Sequence, residues 1–185
     1  LGAVVSAGLT RDCGLPTHVR LGRTGIPDVG PGFLGAKHGA VSLDATSLKA
    51  LTTPPLAKEL FDERNRLFDQ MQTEFARDYP AAAVDAQTAG YRKALDLMTS
   101  ETVKRLDLDG VPAATRDAFG RNAFGDRCLL AAKMVEAGVP FVEATWDLVA
   151  PGITAVRPWD THRNNFPALK LYLPVLDAGW SALLD

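Results

Sequence analysis

Apolar residues fall at helical spacing over four stretches of this chain, and in two short stretches they fall as in a strand. From Leu56 to Tyr79, Leu60, Leu67, Phe68, Met71 and Phe75 recur along one side while Glu59, Asp62, Glu63, Arg66 and Asp69 lie mostly on others. This pattern predicts an amphipathic helix. Pro80 interrupts it, and a second helical stretch through Tyr91, Leu95 and Met98 ends near Thr99 and Ser100. Ser100, followed by Glu101 and Thr102, is suited to cap a third, short helix. The charges along these segments read as a solvated face.

The clearest unit starts at Gly120. Asn122 can cap a helix whose stripe is Phe124, Cys128, Ala131 and Val135, and Gly138 followed by Pro140 stops it. The spacing predicts about four turns. Val139 to Trp146 follows as a nearly continuous β-branched and aromatic run, the composition of a strand inside an α/β sheet. A loop containing Pro151, Gly152 and Pro158 leads to a last helix with Phe166, Leu169, Tyr172, Leu176, Trp180 and Leu183 on its apolar face and a kink or restart expected at Pro174.

Residues 1–40 are rich in Gly and Pro, and only Thr17 to Leu21 alternates like a strand, so this part reads mostly as loop. Gly30 and Gly35 have the separation of a phosphate-binding loop, but Ala36, Lys37 and His38 stand where that motif requires Lys and Ser/Thr. A tight turn with Phe33 and Leu34 tucked into a core is the expectation instead. The order of elements predicts a layered α/β fold, helix-rich with few strands, in one domain.

Composition narrows the function. The 20 basic and 22 acidic residues among 185 nearly cancel and are interspersed, which argues against nucleic acid as a partner. No apolar run reaches the roughly 20 residues of a membrane span. Cys13 and Cys128 lack zinc-knuckle or dithiol spacing, and Cys128 reads as a small hydrophobe on a helix face.

The chemistry concentrates in Trp159-Asp160-Thr161-His162, in the loop that follows the predicted strand. In open α/β sheets ligands gather at such places. A carboxylate and an imidazole two residues apart share a face of extended backbone and can both ligate a divalent ion. Catalytic zinc sites usually have three protein ligands, and no second His/acidic cluster is visible, since His18 and His38 stand alone. Spacing alone favours a structural reading: Asp160 caps the next helix or makes an Asx turn, and His162 is a solvated loop residue. A nucleophile–His–acid triad has no G-x-S-x-G elbow to support it.

Three segments, in order, resemble a bacterial family known as a domain of unknown function, DUF1501, of the alkaline phosphatase and sulfatase-like superfamily. They are Gly30 to Gly35, then Gly120 to Gly125 continuing through Val135 to Glu143, then Trp159 to His162 with Asn165 and Phe166. The resemblance implies an α/β/α sandwich of which residues 1–185 are an interior, partial domain. It implies that Asp160 and His162 ligate a divalent metal (zinc, manganese and calcium are not distinguished) at an incomplete site, and that Asn165 contacts substrate or supports the ligands. The loop from Trp146 to Trp159 looks longer than in many relatives. The implied function is a metal-dependent hydrolase of small phosphate or sulfate esters, exported or periplasmic, with this segment inactive alone. The alternative is a non-catalytic metal- or ligand-binding or structural module of the same fold. Oligomeric state, metal and ester are not specified by the sequence.

Overall fold

The structure is a computed structural model in which residues 1–9, 13–22, 30–52, 57–154 and 157–185 are described. Three short parallel strands make one sheet in the order β2-β1-β3, with β1 (His18–Leu21) in the middle, β2 (Val41–Leu43) on one side and β3 (Phe141–Ala144) on the other. Val19 pairs with both Val41 and Val142, and Arg20 with both Ser42 and Glu143. Because side chains alternate across a strand, Val19 and Leu21 share one face while His18, Arg20 and Glu143 share the other.

The apolar face joins the core. Val19, Leu21 and Leu43 pack with Cys128, Leu129, Leu130 and Met134 of α7 (Ala123–Glu136), and with Leu97, Val103, Leu106 and Leu108 from the segment around α5 (Glu101–Lys104). The expected cap is present: the Asn122 side chain accepts from the backbone N–H groups of Phe124 and Gly125. Cys128 is buried, and burial pushes its thiol up to about 11. Ser100 occupies the N-cap position of α5 but makes no side-chain capping bond.

The other face is polar and lies under α1 (Gly2–Gly8), a helix within the part read as loop. Gly2 lets it approach, since a Cβ there would lie 2.3 Å from the His18 ring. A short α2 (Ala45–Thr52) after β2 and a one-and-a-half-turn α6 (Ala113–Ala118) were not expected from the pattern either. No helix is long and apolar enough to cross a membrane among the described residues.

Several expectations are corrected. Phe33 is 98% exposed, so the Gly-rich turn, two single 3₁₀ turns at Gly32–Leu34 and Ala36–His38, does not tuck it into a core. Of the run at 139–146 only four residues form a strand, which is half-buried along its length and lies at the edge of the sheet formed by the described residues. α3 (Lys58–Asp78) and α4 (Ala81–Thr99) form the two predicted helices, though the expected start at Leu56 lies outside the described residues. Their apolar stripe divides: Phe68 and Phe75 are half-buried, whereas Leu60, Leu67 and Met71 are exposed. The last helix, α8 (Asn165–Leu184), runs through Pro174 without a restart and buries Ala168, Tyr172 and Gly179. Phe166 and Trp180, expected inward, are exposed. Close packing on α7 selects this rotation, for a Cβ at Gly179 would lie 3.1 to 3.3 Å from Phe124 and Cys128.

Candidate functional site

Beyond β3 the chain is held in place before it turns outward. Thr145 extends the β1 pairing, its N–H and its hydroxyl both donating to the Leu21 carbonyl at 3.0 and 2.8 Å. Arg127 of α7 donates to the Thr145 carbonyl at 2.8 Å and pairs with Asp147, whose carboxyl is held below its ordinary range chiefly by that hydrogen bond. A Cβ at Gly22 would meet both Arg127 and Thr145 at 2.6 Å, so the glycine after β1 makes room for this tie.

An aromatic cluster then brings the far side of the loop back. Trp146 lies 4.8 Å from the Trp159 ring and 5.5 Å from Tyr172, and Trp159 lies 5.0 Å from Tyr172. The buried Tyr172 hydroxyl accepts from the Ala150 N–H at 2.7 Å. Trp159 thereby fixes where Asp160 begins.

Asp160 and His162 do face one another. Asp160 Oδ1 is 2.6 Å from His162 Nε2, and the other carboxylate oxygen is 3.5 Å from Arg157 Nη1. The His162 side chain is 87% exposed, so the pair lies at the surface. Asp160 does not cap α8. That position belongs to Asn164, which has left-handed backbone (φ 59°) and no side-chain capping bond. Asn165 opens the helix, and its Oδ1 accepts from the Thr161 hydroxyl at 2.5 Å. The four residues from Asp160 to Asn165 that matter thus form two interleaved pairs, 160 with 162 and 161 with 165.

A carboxylate oxygen and an imidazole nitrogen are a donor set that zinc accepts, and harder ions accept the carboxylate. Tetrahedral ligands at roughly 2.0 Å from zinc stand about 3.3 Å apart. The two atoms stand closer than that, 2.6 Å apart, and with the His162 side chain 87% exposed a small opening of the side chains would make room for an ion. The residues fit a metal as two of its ligands. Among the described residues no three of His, Cys, Asp and Glu converge.

A second polar cluster escaped the sequence reading. His18 Nε2 lies 3.1 Å from Glu143 Oε1, and Arg20 Nε donates to Glu143 Oε2 at 2.7 Å. Burial pushes the Glu143 carboxyl up, but the bonds and charges of Arg20 and His18 outweigh it, and it ends below its ordinary value. His38 reaches the Ser6 hydroxyl at 3.1 Å; burial, then Lys37 and Lys93, holds its imidazole below the usual range. Neither histidine is alone, yet no sequence signal joins positions 18 and 143. Only the strand register does.

A family model described as "Protein of unknown function (DUF1501)" matches residues 1–185. No curated protein and no solved structure matches the chain.

Proposed function

From the premise that the chain belongs to the DUF1501 family, we propose that it is part of a metal-dependent hydrolase of phosphate or sulfate esters, built on an alkaline-phosphatase-like α/β/α sandwich. One observation carries the reading: Asp160 Oδ1 and His162 Nε2 stand 2.6 Å apart on a solvent-facing loop beyond the carboxyl end of β3. That is where open α/β sheets receive ligands. A divalent ion held there would supply Lewis acidity, polarising an ester oxygen and making water or another nucleophile more acidic.

The chain's own residues have distinct parts in this reading. Asp160 contributes charge to hold the ion, and Arg157 keeps one of its oxygens turned aside. His162, in its neutral form, contributes Nε2. Asn165, with its Oδ1 engaged by Thr161, has its amide N–H groups left to donate to a bound oxygen. Two protein ligands fall short of the three usual in a catalytic zinc site. In this reading the remaining ligands and the nucleophile are supplied from outside the described residues, and residues 1–185 by themselves are inactive.

The test uses the full-length protein with aryl phosphates and aryl sulfates, before and after chelation and metal restoration. Turnover should depend on the ion, and Asp160→Ala should lower kcat/KM on the order of 100-fold or more. Turnover that survives both chelation and Asp160→Ala, or full-length protein that binds a divalent ion yet turns over neither class of ester, defeats the proposal. The latter result would favour the binding module.

A further inference from the structure

α3 has more apolar surface than its neighbour uses. Phe61, Asn65, Phe68, Gln72 and Phe75 are its half-buried positions. Three of them face α4: Phe68 stacks on Tyr91 with ring centres 3.5 Å apart, the Tyr91 hydroxyl donates to Asn65 at 3.1 Å, and the Thr88 hydroxyl donates to Gln72 at 3.3 Å. Beside this face runs a second stripe, Leu60, Arg64, Leu67, Met71, Glu74 and Asp78, in alternating steps of four and three residues. That is the 3.5-residue seam of a coiled coil. Leu60, Leu67 and Met71 on it are 54%, 56% and 59% exposed. Neither Arg64 nor Glu74 is ion-paired among the described residues.

The order of charges along the seam identifies what fits it. Arg64 lies three residues before Leu67, and Glu74 lies three residues after Met71. The seam is apolar at its centre and opposite in sign on the two sides, so its complement is itself reversed. Laid antiparallel with a twofold axis at position 69, two α3 helices set Leu67 against Met71 and Arg64 against Glu74, twice over. The ends pair Leu60 with Asp78, which can turn its carboxylate to solvent. A parallel pairing would set Arg64 on Arg64 and Glu74 on Glu74, and like charges facing each other are unfavourable. Isologous twofold contact is also the commonest way identical chains associate.

We propose that the Leu60–Asp78 seam of α3 is a self-association surface, occupied by α3 of a second copy in antiparallel register. A single 21-residue helix offers less than the roughly 800 Å² per partner of a standard interface, so association is weak, with Kd on the order of 10 µM. Both charged side chains are exposed, so exchanging them leaves the fold intact, which circular dichroism checks. Sedimentation equilibrium of the full-length protein from about 1 to 300 µM should show mass rising from that of one chain toward twice that value. Arg64→Glu or Glu74→Arg alone makes both symmetry-related pairs repulsive and should raise Kd about tenfold. The double exchange Arg64→Glu/Glu74→Arg should return Kd to within about threefold of the original, because the reversed seam is again self-complementary. A monomer throughout this range, a dimer indifferent to the single reversals, or a double exchange as weak as the singles overturns the proposal.

Discussion

Glu143 shows how a single side chain can hold two strands and be invisible in the sequence. Its carboxylate takes Arg20 on one oxygen and His18 on the other, so it joins β1 and β3 through side chains as well as backbone. Its folded pKa lies below the ordinary value of 4.5, so the ionised form favours the folded state. The stability it contributes is complete above that ordinary value and fades as pH falls through the lower folded one. Glu143→Gln should therefore destabilise by about 1–3 kcal/mol at neutral pH, and the gap from the natural chain should narrow as pH falls below 4.5. Urea unfolding at a series of pH values measures this, and a gap that stays constant to pH 3 contradicts it. Tyr172 makes the complementary case. Its hydroxyl is the partner of the Ala150 N–H inside a buried aromatic cluster, and Tyr172→Phe leaves that donor unsatisfied. A loss of about 1–3 kcal/mol is expected. Because Ala150 lies in the loop that delivers Asp160, the metal binding proposed above for the full-length protein should weaken as well, whereas unchanged stability would mean that water or another acceptor takes over the N–H.

At the scale of elements, what was legible followed from length and punctuation. The unit from Asn122 to Leu184 could be read because a cap, a fourteen-residue periodic stretch, a Gly stop and a β-branched run follow in close order. β2 could not be read, since three residues hold no period, and α1 carries Gly at both ends, two valines and no acidic residue in its first turn. Such helices form because tertiary contacts hold them, not by propensity. Helix rotation was the other failure. Periodicity names a set of apolar positions but not which of them meets a neighbour, and on α8 close approach to α7 at Gly179 decided for Ala168 and Tyr172 over Phe166 and Trp180. Gly125 is a comparable position within α7. A Cβ there would stand 1.8 Å from the Phe119 carbonyl oxygen, a backbone atom that cannot rotate away. Gly125→Ala should thus destabilise by about 3 kcal/mol, although Ala is the better helix former by nearly 1 kcal/mol. A thermal melt shifted upward instead would show that α6 and the turn at Phe119 yield at no cost.

Across the whole molecule, the buried core and the candidate loop belong to one part of the chain and the α3–α4 hairpin to another. The core draws on β1, β2, α7 and the residues from Leu97 to Leu108, while α3 contributes no buried side chain and α4 contributes only Leu97. This division explains why the candidate site was more legible than the fold around it. Asp160 and His162 are neighbours in sequence and in space, whereas His18 and Glu143 meet only after the sheet has formed, and the exposure of Leu60, Leu67 and Met71 depends on which face of α3 finds α4. The same division predicts uneven stability. Elements with few buried apolar contacts open at free energies well below that of global unfolding. In hydrogen exchange at about 1 µM, below the proposed Kd, amides of Lys58–Asp78 should therefore exchange ahead of those in Ala123–Glu136, with the latter reporting global unfolding. Raising the concentration to several hundred micromolar should slow exchange in α3 selectively, because a ligand that binds only the folded helix stabilises it by mass action. Equal protection of α3 and α7 at 1 µM would show that the hairpin unfolds only with the core, through support other than the contacts with α4 described above. Protection gained equally by both helices would place the association elsewhere than on the seam from Leu60 to Asp78.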